Sequence, residues 1–123
     1  MLLEEDEVQK VLEQVEAAFP SFHDWRYINE KHNDYFGFAV WGRFVMNNEH
    51  QSSAWSRNYF ITFDMYEKNW LGHLSIGQHW YLWSSADYGD AGLLDTKFCT
   101  TLEQAIAALK AEMASLFKTF SAP

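Results

Sequence analysis

From Phe36 to Met46 and again from Tyr59 to Met65 the apolar residues fall on alternate positions, whereas towards both ends of the chain they return every three or four. A period of two belongs to a strand with one face turned to a core, and a period near 3.6 to an amphipathic helix. Few folds accommodate both in this order. Near the N-terminus Val8, Val11, Leu12, Val15 and Phe19 form one stripe, acids crowd the first turn and Pro20 follows the last periodic residue, which predicts a helix over 4–19. At the other end Leu102, Ile106, Leu109, Met113 and Leu116 form a second stripe, which predicts a helix over 101–118. Its start is marked by Thr100 with Glu103, or equally by Thr101 with Gln104, since either pair has the spacing of a capping box.

Between the helices the alternation separates two faces. Phe36, Phe38, Val40, Phe44 and Met46 share one, and Tyr35, Gly37, Ala39, Trp41, Arg43 and Val45 the other. A shorter strand is expected over Trp25 to Asn29, joined to this one through the polar Glu30-Lys31-His32-Asn33. After a polar stretch at 47–56, strands are expected over Tyr59 to Met65, Trp70 to Ile76 and His79 to Trp83, separated only by Glu67-Lys68-Asn69 and by a turn at Gly77. Connections this short reverse the chain and cannot form parallel crossovers. Residues 84–98 read as loop, with Gly92-Leu93-Leu94 able to pair briefly at an edge. The expected fold is a single α+β domain over 1–123. It has an N-terminal helix, a four- to five-stranded antiparallel meander sheet and a C-terminal helix, with both helices on one sheet face. Its expected core is Val8, Val11, Leu12, Val15, Phe36, Phe38, Phe44, Ile61, Phe63, Leu74, Ile106, Leu109 and Met113.

A chain of 123 residues, 48% of them hydrophobic, has the size and apolar content of one such domain. Cys99 is the only cysteine, so no disulfide forms within the chain. Met1-Leu2-Leu3 runs directly into Glu4-Glu5-Asp6-Glu7, which is not the basic and then apolar start of an export signal. No window approaches the roughly 20 apolar residues of a membrane span. The expected compartment is therefore the cytoplasm.

The net charge of −8 is unevenly placed. Residues 1–19 hold six acids and one base, and Asp87, Asp90 and Asp95 form a second acidic stretch without a base; elsewhere eight acids face eight bases. Phosphate recognition needs clustered Lys and Arg, so direct nucleic-acid binding is not expected, nor is attachment to an anionic membrane.

The chemistry-bearing residues make no strong motif. His73 and His79 flank Gly77, but two histidines without a cysteine pair or a His-x-x-x-His helix fall short of a zinc site, so no metal and no cofactor are expected. Asp87 and Asp90 are residues that readily serve turns. Cys99 precedes a helix, where backbone N–H groups can favour a thiolate, yet the nearest histidine, His79, is twenty residues away, so no catalytic role is assigned. Nothing in the sequence requires an enzyme.

What remains is an excess of aromatics, 18% of the chain. Alternation sends Trp41, Tyr81 and Trp83 away from the helix-covered face, beside Asp87, Tyr88, Asp90 and Asp95. Tyrosine and tryptophan bury large area at little entropic cost, so these seven residues are the candidate binding set. The expected function is a non-enzymatic protein-binding module, an acidic inhibitor or immunity-type protein acting on a basic partner. The alternative is a binding protein or enzyme for a planar ligand or sugar, with its aromatic site next to the 84–95 loop. A homodimer through the same face is a third expectation.

Overall fold

The structure is a computed structural model that describes residues 2–30, 37–46, 57–77 and 91–122. Among the described residues seven elements follow one another: α1 (Glu5–Ala18), β1 (His23–Ile28), β2 (Ala39–Met46), β3 (Arg57–Tyr66), β4 (Asn69–Gly77), β5 (Ala91–Asp95) and α2 (Leu102–Ser121). The strands form one sheet in chain order, and every neighbouring pair is antiparallel. The fifth strand is therefore the edge segment around Gly92-Leu93-Leu94. The strand expected over His79 to Trp83 lies outside the described residues, as does Phe36 of the expected core.

Both helices cover the same sheet face. Val8, Val11, Val15 and Phe19 from the α1 segment and Leu102, Ala105 and Leu109 of α2 close on Phe38, Val40, Ile61, Phe63, Trp70 and Leu74. Leu12, Ile106 and Met113 pack around this cluster partly buried, and Phe44, also expected in the core, is half-buried outside the cluster with its ring 5.8 Å from that of Phe22.

The interruption of the alternation at Gly42 has a steric cause. A Cβ at Gly42 would stand 2.6 Å from the indole carbons of Trp25, so the missing side chain is the space that Trp25 occupies. Trp25 is fixed there by donating from Nε1 to the Phe22 carbonyl at 3.2 Å. A bulge between His23 and Arg26, with Asp24 at φ 56°, lets the chain rise into this position before regular pairing resumes at Arg26.

The far face of the sheet is also interior at its centre. Ala39, Trp41, Phe60, Thr62 and Ser75 are all buried. Burial is thus continuous along 38–42 and 60–63 rather than alternating. Sequence alternation distinguishes two faces but does not say that one of them is wet.

The second helix starts as one of its two expected caps. Thr101 Oγ1 accepts from the Gln104 amide at 3.1 Å. The return arm lands one residue earlier than in a standard box, because Gln104 Oε1 accepts from both the Thr100 amide and the Thr100 hydroxyl. Thr101→Ala is expected to cost about 1 kcal/mol in equilibrium denaturation. A loss near zero would show that Thr100 and Gln104 alone hold the turn.

Candidate functional site

Antiparallel register places one residue from each strand in a single row across the far face. Arg26 pairs with Trp41, Trp41 with Thr62, Thr62 with His73 and His73 with Asp95. The row begins with a cation on one edge, passes beneath the buried centre and ends with a carboxylate on the other edge. Trp41 and Asp95, two of the residues expected to bind, both belong to it. They stand three strand spacings apart, about 14 Å. Trp41 is only 5% exposed, so its ring is interior and does not form an open aromatic surface. Asp95, by contrast, has a side chain 71% exposed. Tyr81, Trp83, Asp87, Tyr88 and Asp90 lie outside the described residues.

His73 joins this row to the next. Its Nδ1 meets Asp95 Oδ1 at 2.6 Å and its Nε2 meets Asp64 Oδ2 at 3.0 Å. With a carboxylate on each ring nitrogen, the imidazole donates both ways. Its side chain is 27% exposed, and this burial alone would lower its pKa. The hydrogen bonds to Asp64 and Asp95, with the charges of both, outweigh that effect and raise it from 6.5 to about 9. His73 is therefore an imidazolium at neutral pH. A ring in this state has no lone pair for a metal and no free nitrogen to act as a general base. Asp64, His73 and Asp95 form a charged clasp between β3, β4 and β5.

Around the clasp, Thr62 Oγ1, Ser75 Oγ and Asp64 Oδ1 are buried without a hydrogen-bond partner among the described residues. Groups of this kind each cost about 1–3 kcal/mol when left unsatisfied. Among the described residues no set of three or more His, Cys, Asp and Glu is arranged to hold a metal ion. Cys99 is partly buried, and its backbone exchanges hydrogen bonds with Trp70 at 2.8 and 2.9 Å. Its Sγ lies 3.4 Å from the Lys97 carbonyl oxygen. Among the described residues no helix is long and apolar enough to cross a membrane.

Two surface features lie on the helix side. Along α1, Glu5, Asp6, Glu7, Glu13 and Glu16 are exposed, as is Glu4 just before it, and Lys10 is the one base in the helix. Beside that helix lies a cleft of about 640 Å³, lined by Glu5 and Val8 of α1 and by Tyr27, Ile28, Asn29 and Glu30 from the end of β1. Asn29 in this lining also holds the segment ahead of α1: its Oδ1 accepts from the Leu2 and Leu3 amides at 3.0 and 2.9 Å, and its Nδ2 donates to the Leu3 carbonyl at 2.8 Å. Tyr27 is 47% exposed and stacks on the buried Phe38 with ring centroids 5.9 Å apart.

The sequence reading missed this cleft because its two walls come from segments that look unrelated along the chain. The legible signal was the short strand at Trp25 to Asn29, whose end supplies one of the two walls. No protein-family model matches the chain, and neither a curated protein nor a solved structure gives a significant match.

Proposed function

We propose that this chain is a non-enzymatic protein-binding module whose acidic α1 face recognises a basic partner, in the manner of a small inhibitor or immunity-type protein. The observation that carries this reading is the position of Glu13 and Glu16. Acids in the first turn complement the helix dipole and need no partner to account for them. Glu16 lies in the last turn, where the dipole favours cations and α1 has none. Glu13 and Glu16 also repel one another at i, i+3. Both are exposed, so their repulsion is a local cost to the helix that Lys10, three residues before Glu13, offsets only in part. An acidic face of this kind speeds encounter with a basic cleft and rejects acidic competitors.

Stability and binding therefore respond separately. Glu13→Lys with Glu16→Lys is expected to leave stability within a few tenths of a kcal/mol of the native chain, because the cation gained in the last turn is offset by the like-charge pair that positions 13 and 16 keep and by new repulsion from Lys10. The same double reversal is expected to slow association about tenfold at low salt and to flatten its salt dependence. The measurement is stopped-flow association with a basic protein that the unaltered chain retains at low salt and releases at high salt. An unchanged association rate would remove α1 from the interface.

A further inference from the structure

The cleft beside α1 opens on the helix side of the sheet. Tyr27 pairs with Val40, a core residue of the face that the helices cover. Tyr27 and, two residues on, Asn29 therefore turn towards α1, while Ile28 between them turns to the far face. The opposite wall is Glu5, Val8 and Gln9 of α1. Val8 is buried, whereas Glu5 and Gln9 are exposed, so this wall is apolar at its base and polar at its mouth.

Tyr27 brings a flat aromatic surface to this space. Its ring lies over Phe38 with 20° between the planes, and 47% of the residue stays exposed. Glu30, on the strand wall, is engaged within the chain. Glu5 takes no part in the capping box at the start of α1, which Glu4 and Glu7 make between them. Its carboxylate is the one that meets a cation entering beside Tyr27.

The cleft also continues the surface assigned above to a basic partner. Glu5, Gln9, Glu13 and Glu16 follow one another at spacings of four, four and three, which sets them on one exposed stripe of α1. A chain that meets Glu13 and Glu16 passes the mouth of the cleft. What can enter there is decided by the pairing of a carboxylate with an aromatic ring. A guanidinium suits both, because it is planar, stacks on aromatic faces and holds a carboxylate through two parallel N–H bonds. An ammonium is attracted by the same groups as a point charge, without the planar stack. We infer that the cleft between α1 and Tyr27 takes an arginine side chain of the basic partner, stacked on Tyr27 and paired with Glu5. The volume of about 640 Å³ is that of a preformed site and leaves room for the backbone that carries the arginine. This inference rests on the basic-partner reading above and names the residue type that anchors the partner.

The test titrates the full chain, labelled with nitrogen-15, with three tripeptides of the form acetyl-Gly-X-Gly-amide, where X is arginine, lysine or citrulline. Citrulline has the shape of arginine without its charge. Saturable movement of the Val8, Gln9 and Tyr27 amide resonances is expected with the arginine peptide. The lysine peptide is expected to bind about threefold more weakly and the citrulline peptide about tenfold more weakly. Tyr27→Leu keeps an apolar side chain over Phe38 and is expected to abolish the preference for arginine over lysine. Glu5→Gln is expected to weaken the arginine peptide about fivefold.

Equal affinity for the arginine and lysine peptides would overturn the inference, as would an arginine preference that survives Tyr27→Leu. Equal affinity for arginine and citrulline would overturn it in favour of a neutral planar ligand. Movement of the same resonances with protein concentration alone would overturn it in favour of a second copy. Shifts confined to Glu13 and Glu16, or no saturable shift, would remove arginine from the cleft. Recognition of a basic partner by the acidic face would then stand or fall by the Glu13 and Glu16 reversal alone.

Discussion

Phe63→Ala is expected to destabilise the fold by about 3–5 kcal/mol in equilibrium denaturation, the largest effect of any single truncation proposed for this chain. Phe63 is fully buried, its ring lies 5.9 Å from that of Phe19, and its cross-strand partner is Gly72. A Cβ on Gly72 would come within 2.9 Å of the Phe63 ring, so the aromatic side chain fills the space that the glycine leaves open. Gly72 is itself tied to the chain beyond β5, donating to Thr96 Oγ1 and accepting from the Thr96 amide, each at 2.9 Å. The backbone there cannot collapse inward to close the cavity. This makes the two substitutions non-additive. Gly72→Ala alone is expected to be destabilising, and in the Phe63→Ala background its cost is expected to fall, because the atoms it displaces are gone. Additive losses in a double-mutant cycle would show that Phe63 and Gly72 do not share the space.

The second large effect depends on pH. The folded-state pKa of His73, about 9, lies above its unfolded value of 6.5. The stabilisation from its two carboxylate contacts is thus fully present below about pH 6.5 and is lost as pH rises through about 9. At about 1.4 kcal/mol per unit the shift corresponds to roughly 3 kcal/mol, and screening of the exposed Asp95 brings the expected loss to about 2 kcal/mol. His73→Asn cannot titrate. Between pH 6 and pH 10 the native chain is expected to lose about 2 kcal/mol more than this variant, read from chemical denaturation at each pH. Parallel profiles would mean that His73 does not hold its proton in the folded state. Because the variant shares every other titrating group, the difference between the two profiles isolates this one.

Which parts of this were legible in the sequence follows from the range of the interactions. Helical stripes and strand alternation are local, so α1, α2, β2, β3 and β4 were readable within a few residues. Register is not. A connection of Glu67-Lys68-Asn69 would set His73 opposite Phe63, although Leu74 in the expected core already turns His73 to the far face. The turn has only two residues between Tyr66 and Asn69, with Glu67 at φ 57°, and this sets His73 opposite Thr62 and diagonal to Asp64. One residue of turn length thus decides which residues of β3 stand beside His73. The Asp95 contact is less legible still, since β5 joins β4 from more than a dozen residues away in sequence. Trp41 shows the opposite limit. Its face was readable from alternation, but its burial depends on what lies over that face, and the periodicity of β2 carries no information about that.

The order in which the strands lie side by side is the order in which they are made. Each hairpin of the sheet requires only the closure of the segment before it, and the loop entropy of each step is modest. The helices are different, because they are encoded at opposite ends of the chain and complete one core. During synthesis α1 and four strands are available long before Leu102, Ala105 and Leu109 emerge to cover Leu74 and Trp70. Until then a strip of apolar sheet remains open, and the nascent chain is at its most vulnerable to association with other chains. Completion of the fold is therefore set by the arrival of its last element, however early the sheet has formed.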